Sequence, residues 1–380
     1  MRPSLISAAL VAALVGYGST IALVLAAAAA LGATPGQTAS WVLAICISKA
    51  VGSAWLSWRT KIPVVLAWST PGAALIAATK GISMAEGAGA FIVAGLLIAL
   101  TGALRPLGRA VALIPDGIAA GMLAGVMLPF CLKLPLAVQT APLVTLPAIA
   151  AFLLVRLRNP AVAVLAALTA GLATAFLSGA AQLPPLSLPL PRLTFLVPEF
   201  DPGTLIGLAL PLYLVTMASQ NLPGFATLRA AGYEPPVRAG LATTGILSAL
   251  TGFFGAHTVS MAAITAAICL GDDVHPDRSR RWQVGLAYAG FWLTLGLLSP
   301  LLLAIIAALP APLIAAIVAL ALLAPFAGAA TSAFTGTETR FAAAVTLATT
   351  ASGTAVLGIG AAFWGLLAGI VVHALGKLNR

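Results

Sequence analysis

Charge is the scarcest property of this 380-residue chain: 7% of its residues are Asp, Glu, Lys or Arg, and only nine are acidic. A soluble domain carries about 25% charged residues. With 61% apolar residues, the chain has more apolar surface than a soluble core of this size can hide. Cysteine and histidine are equally sparse, at three each. Cys46, Cys131 and Cys269 stand apart, in or beside apolar runs and without metal-ligand spacing, so they read as small buried hydrophobes and no metal site is expected. There is no His-Glu-x-x-His, no Gly-x-Ser-x-Gly and no pair of acids within the apolar runs, which removes the common hydrolytic signatures. Neither an enzyme nor a cofactor is expected. The net charge of +10 comes from bases that lie between apolar segments rather than in a patch or stripe, which excludes nucleic acid as a partner.

What the chain does have is apolar length. Residues 4 to 32 carry no charge and exceed the roughly 20 residues needed to span hydrocarbon. The run is too long for the apolar region of a signal peptide, and further runs follow it: 38–57, a broken segment 63–79, 87–104, 110–130, 136–155 and 160–180. A Pro-rich connector, 181–202, carries Glu199 and Asp201 near its end. The pattern then repeats as 203–222, 236–252, a broken segment 253–269, 282–308, 311–329, a short 340–351, and 354–376. The expected fold is an all-α polytopic membrane protein with seven segments in each half, 1–180 and 203–380.

The halves align residue by residue. Ile114 to Phe130 matches Leu309 to Phe326 at an offset of 195 growing to 196, and the broken segments match at 190, setting Thr70 against Ser260, Ala73 against Ala263 and Gly81 against Gly271. An odd number of spans per half forces opposite orientations, so the pattern is an inverted repeat. Matched broken segments in two halves point to a substrate site at the membrane midplane of a secondary transporter. Lys and Arg placement sets the orientation. With the N-terminus cytoplasmic, the inside receives Arg2, Arg59, Lys61, Arg105, Arg109, Arg156, Arg158, Arg229, Arg238, Arg278, Arg280, Arg281, Arg340, Lys377 and Arg380, the outside only Lys80, Lys133 and Arg192. Both termini are therefore expected in the cytoplasm.

Several strings are more specific. Ala67-Trp-Ser-Thr-Pro-Gly-Ala-Ala-Leu75, Met217-Ala-Ser-Gln-Asn-Leu-Pro-Gly-Phe225, Arg229-Ala-Ala-Gly-Tyr233, Ala262-Ala-Ile-Thr-Ala-Ala-Ile-Cys269 and His275-Pro-Asp-Arg-Ser-Arg-Arg-Trp282 resemble the benzoate/proton symporter (BenE) family, collinearly from first span to last. The resemblance implies a carrier of the inner membrane that imports benzoate with a proton. It also implies a seven-plus-seven inverted repeat shared with nucleobase and sulfate/bicarbonate carriers. In that fold a core (1–104 and 203–308) moves against a gate (105–180 and 309–380). Another organic anion or a nucleobase is the alternative substrate.

The site can be argued from the residues as well. Thr70-Pro71, with Ser69 before it, reads as a helix start with the Thr70 hydroxyl as cap and proline at the first helical position; Ser260 or Thr258 plays the matching part in the second half. Each start offers unpaired N–H donors and roughly half a positive charge, so two converging starts suit a small carboxylate without a buried arginine. The bland reading is that they only cap packed helices. His257 precedes the second half-helix and is the leading proton-coupling candidate, because a nearby carboxylate and a proton would each favour the other; a neutral hydrogen-bonding residue or a direct ligand is the alternative.

Other polar and aromatic residues extend the candidate set. Ser219, Gln220 and Asn221 are expected to end the eighth span before Pro223-Gly224, and amides there can donate to a carboxylate or accept from a protonated one. Nucleobase carriers of the resembling fold use a carboxylate on this helix, and none stands here. Lys49 lies mid-segment, where a charge counts as a functional hypothesis; it pairs with substrate or a protein acid, or it snorkels. Asp116 follows Pro115 at a helix start, as a cap or a proton relay. Tyr17, Trp68, Tyr213 and Phe225 are candidate walls for an aromatic ring, or packing residues. Gly117, Gly121 and Gly125 allow close helix approach, within the chain or in a homodimer.

Overall fold

The computed structural model describes residues 2–104, 114–184 and 190–378. Arg105, Arg109 and Arg380, the beginning of the fifth run and residues 185–189 of the connector lie outside the described residues. Helix dominates, as it must where no water can satisfy backbone groups. Among the described residues eight helices are long and apolar enough to cross a bilayer, nine if one bent pair counts as a span. The protein is a mostly helical membrane protein.

The first run is one candidate span, Pro3–Ala30, divided into α1 (Pro3–Gly18) and α2 (Ile21–Ala30). The division has a local cause: Ser19 and Thr20 turn their hydroxyls back onto the carbonyls of Val15 and Gly16, at 2.5 and 2.9 Å, a habit that bends helices. α3 (Pro35–Thr60) opens with a full capping box, Thr34 with Gln37, and Pro35 in the first turn. The broken segment follows as β1 (Leu66–Trp68) and α4 (Thr70–Ala78). α5 (Met84–Ala103) starts with a second capping box, Ser83 with Glu86.

α6 (Asp116–Cys131) runs on through α7 (Lys133–Thr140) as a 25-residue span. The expected break near Lys133 therefore moves to Ala141, where Pro142 opens α8 (Pro142–Arg156). Lys133 stays on a helix with its ammonium 5.4 Å from the Phe130 ring centroid. α9 (Ala163–Leu177) ends the first half. The described part of the connector is extended and strapped across the fold: Thr194 N–H donates to Ser40 Oγ, Leu196 N–H to Phe253 O and Glu199 N–H to Ala85 O.

α10 (Pro202–Ala230) is continuous through Pro223, so the Ser219-Gln220-Asn221 cluster is mid-helix rather than at a helix end. Pro211 and Pro223 each follow a stretch of π-helix, Leu205–Ala209 and Met217–Asn221. A proline lacks the N–H for the ordinary ladder, and a wider turn lets the helix carry on. α11 (Val237–Gly252), β2 (Val259–Met261) and α12 (Ile264–Leu270) come next. α13 (Gln283–Leu297) and α14 (Ser299–Ala307) meet at 59° beside Pro300. α15 (Ala311–Thr335), α16 (Arg340–Ala351) and α17 (Ala361–Leu378) complete the chain.

β1 and β2 pair antiparallel, with Leu66 opposite Met261, Ala67 opposite Ser260 and Trp68 opposite Val259. Around this ribbon α5 packs on α11, α3 on α13 and α2 on α4; separately, α6 packs on α15 and α16, α8 on α9, and α16 on α17. Small residues permit the close contacts: a Cβ on Gly95 would stand 2.8 Å from Gly245 O, and one on Gly121 2.6 Å from Ala343 O. The Gly117-Gly121-Gly125 stripe is thus filled by α16, the preceding Thr339 and Ala333 of α15 in the same chain, which removes it as a contact for a second copy.

Candidate functional site

A cavity of ≈ 660 Å³ lies where the ribbon, the breaks in α1–α2 and α10, and the inner faces of α6 and α15 meet. Its lining includes Thr20, Lys49, Trp68, Thr70, Pro71 and Gln220, and also the exposed residues Asp116 and Arg156. The walls are mainly apolar, supplied by residues such as Met122, Leu123, Phe152, Leu320 and Ala324.

α4 contributes its N-terminus. Ser69, fully buried, caps it by accepting the Gly72 N–H at 3.1 Å, so the cap expected at Thr70 sits one residue earlier. That leaves Thr70 in the first turn, on the cavity wall with Pro71. Ser69 holds the cap because Thr216 of α10 donates to it at 3.0 Å, while Thr216 in turn meets Thr258 at 2.8 Å. The second half-helix differs. β-branched Thr258 and Val259 continue as strand against β1, Ser260 is buried with its hydroxyl 3.3 Å from Ala67 O, and α12 begins only at Ile264, after Ala263 and without a side-chain cap. Neither Ser260 nor Thr258 caps it or lines the cavity; Ala263, Ile264 and Thr265 do line it.

His257 and Asn221 are also outside the cavity lining. His257 is fully buried, and its Nδ1 accepts the indole N–H of Trp41 at 2.9 Å, which places the imidazole proton on Nε2. Asn221 accepts the Met261 N–H at 2.9 Å and so terminates the ribbon. Gln220, its neighbour on the π turn, faces the cavity instead.

Of the four aromatic candidates, Trp68 lines the cavity and donates its indole N–H to Thr20 Oγ1 at 2.6 Å. Tyr17 stands behind it, 5.9 Å from the Trp68 ring centroid and 6.0 Å from that of Trp292. Tyr213 bonds Thr101 at 2.6 Å between α10 and α5, and Phe225 is buried against Gly240 of α11; both are packing residues away from the cavity.

Lys49 is the residue whose surroundings the sequence conceals most. It is 1% exposed on the cavity wall, with Nζ 3.0 Å from the Trp292 ring centroid and 4.1 Å from that of Trp68. The ion pairs among the described residues join Arg280 to Asp277 and Arg281 to Asp272, so no acid pairs with Lys49. Trp292 and Tyr288, part of this shell, were missed as site residues; Phe291-Trp292 sits in an ordinary apolar run with no polar signal. Asp116 starts α6 without acting as its cap, and is exposed at the cavity mouth. No cluster of His, Cys, Asp or Glu able to hold a metal occurs among the described residues.

A family model described as benzoate membrane transport protein matches residues 1–375. The chain belongs to that family. It is 36% identical over 383 residues to the inner membrane protein YdcO of Escherichia coli (strain K12), covering 100% of this chain and 98% of that protein. It is 35% identical over 367 residues to the benzoate membrane transport protein of Acinetobacter baylyi (strain ATCC 33305 / BD413 / ADP1), covering 96% and 93%. Among solved structures it resembles the transmembrane domain of a cyanobacterium bicarbonate transporter, BicA, with TM-score 0.62, 15% identity and coverage of 97% and 98%. It also resembles the murine anion transporter Slc26a9 in the inward-facing state, with TM-score 0.64, 11% identity and coverage of 100% and 69%. At these identities the two structures establish a shared fold. The family is one of membrane transporters, not enzymes.

Proposed function

We propose that the protein imports benzoate, or a closely similar aromatic monocarboxylate, together with a proton by alternating access across the inner membrane. The observation that carries this reading is the coincidence, on one cavity wall, of an indole face (Trp68), a helix start (Thr70-Pro71) and a buried base (Lys49) in an otherwise apolar space. The ring takes the apolar part and the carboxylate takes the donors, the usual division of labour in a small-molecule site. Cavities that bind small molecules run to about 300–1,000 Å³, and this one is ≈ 660 Å³. The family relationship and the A. baylyi relative's name favour benzoate.

The same reading takes the chain as fourteen segments in two inverted repeats. Support comes from the antiparallel pairing of β1 with β2. It also comes from the matched spans Asp116–Thr140 and Ala311–Thr335, each 25 residues with an internal proline, Pro129 and Pro325. The packing of α3, α5, α11 and α13 around the ribbon, apart from α6, α8, α9 and α15–α17, supports a core moving against a gate. With both termini cytoplasmic, as the Lys and Arg distribution favours, the end of the cavity at Asp116 and Arg156 faces inward, and the substrate leaves there.

Uptake into vesicles tests the function. An inward proton gradient should drive saturable accumulation of labelled benzoate that substituted benzoates compete and uracil does not. Equilibration without accumulation would mean a channel; competition by uracil, or by unrelated organic anions in preference to benzoates, would move the substrate class.

A further inference from the structure

We propose that the transported proton rides on Lys49, whose amine, once protonated, is also the counter-charge for the substrate carboxylate; this rests on the reading above that the cavity takes an aromatic carboxylate. Three observations converge on it. Lys49 lines the cavity, and its Nζ is held between the faces of Trp292 and Trp68. No acid pairs with it among the described residues. The other buried base near the ribbon, His257, is outside the cavity and already committed.

The commitment of His257 is chemical. The Trp41 indole is a donor only, so its bond to Nδ1 exists while Nδ1 is unprotonated. An imidazolium there would set two N–H donors against each other. Lys49 has no such conflict. The titratable groups facing it are Cys46, one turn earlier on α3, and Tyr288 of α13, which shares the cavity lining; Tyr17 of α1 packs 6.0 Å from the Trp292 ring centroid, and His257 also interacts electrostatically with Lys49. The charged lining residues from α6 and α8 are Asp116 and Arg156, both exposed. An ammonium in that shell has indole faces and no anion; an entering carboxylate supplies the anion. Substrate occupancy and protonation of Lys49 therefore favour each other, and the coupling is reciprocal.

The step balances. The outward-open amine takes one proton from outside, the carboxylate enters as an anion, and the pair crosses with no net charge. Release of the carboxylate inside returns the amine and one proton. Coupling thus needs neither a buried acid nor His257.

The test uses the full-length protein in liposomes, comparing wild type, His257→Gln, Lys49→Arg and Lys49→Met in two assays: benzoate–benzoate exchange without a gradient, and benzoate accumulation under an inward proton gradient. Wild type and His257→Gln should exchange, and should approach an accumulation of about tenfold for each pH unit of gradient at an initial rate well above that of protein-free liposomes. Arginine stays charged, so Lys49→Arg should exchange but accumulate nothing under a pH gradient, and its net uptake should respond to an inside-positive potential. Lys49→Met should lose exchange and accumulation. As a second measurement, benzoate added to detergent-solubilised protein with a pH-indicator dye should draw one proton per benzoate bound in wild type and His257→Gln, and none in Lys49→Met. Gradient-driven accumulation by either Lys49 variant at an initial rate above that of protein-free liposomes overturns the proposal, as does loss of that excess rate in His257→Gln with exchange intact, or equal proton uptake by Lys49→Met. Failure of the wild type to exchange benzoate instead overturns the substrate reading beneath it.

Discussion

The hydroxyl relay that sets the α4 cap offers the sharpest quantitative test of how the site is built. Thr258 donates to Thr216, and Thr216 to Ser69, which accepts the Gly72 N–H; the distances are 2.8, 3.0 and 3.1 Å, and all three hydroxyl residues are fully buried. Replacing Ser69 with Ala removes the cap, worth about 1 kcal/mol, and the hydrogen bond that Thr216 donates to it, about another 1 kcal/mol. Ser69→Ala should therefore destabilise the protein by about 2 kcal/mol. Thr216→Val removes two hydrogen bonds, so a loss of about 1–2 kcal/mol is expected. Because the two variants share one bond, the double variant should cost about 1 kcal/mol less than the sum. Both losses weigh on the free and the bound protein, so benzoate affinity should fall by less than about tenfold, or 1.4 kcal/mol. Denaturant unfolding in detergent reads the stabilities, and quenching of tryptophan fluorescence by benzoate reads the affinity, since Trp68 lines the cavity. A destabilisation by Ser69→Ala below about 0.5 kcal/mol, or additivity of the pair within about 0.5 kcal/mol, would refute the relay.

Two further outcomes are expected. A Cβ on Gly245 would lie 2.6 Å from Gly95 O and 2.7 Å from Ala99 Cα, whereas one on Gly290 meets nothing within 4 Å. Gly245→Ala should accordingly cost about 1–3 kcal/mol by overpacking, and Gly290→Ala, inside α13, should instead stabilise by up to about 1 kcal/mol, as read by thermal unfolding. In the loop before α13, the Asp277 carboxylate is held below its ordinary range by the Ser279 hydroxyl and N–H. A depressed carboxyl favours the native loop above its unfolded value and loses that support as pH falls below about 3.8. The hydrogen-exchange protection factor at Ser279, corrected for the intrinsic rate, should therefore be constant across neutral pH and fall in acid, and Asp277→Asn should show the weaker protection at every pH.

Much of the architecture was legible because it depends on local composition. Apolar runs without charge marked the spans, and Ser69-Thr70-Pro71-Gly72 marked a helix start inside one of them. The errors lie where a distant residue arbitrates. Ser69 and Thr70 are both good caps by type, and the choice fell to Ser69 through Thr216, 147 residues away. Thr258 to Met261 could have been a cap and first turn; pairing with Leu66 to Trp68 made it strand and delayed the second half-helix to Ile264. Pro223 read as a helix end, but a π turn absorbed it, which turned Gln220 toward the cavity and Asn221 toward Met261.

The sequence alone determined the solvent this protein lives in, the approximate number and order of its polar breaks, and its family, since each rests on hydropathy or on contiguous strings. Only the tertiary structure decided which polar side chains face the cavity. Lys49 and His257 look alike on the page, two lone bases in apolar runs. Folding seats one between indoles from residues 68 and 292 in the cavity lining, and binds the other to the indole of Trp41 outside it. A side chain's chemistry depends on partners within a few ångströms, and in this fold those partners are supplied from the far ends of the chain.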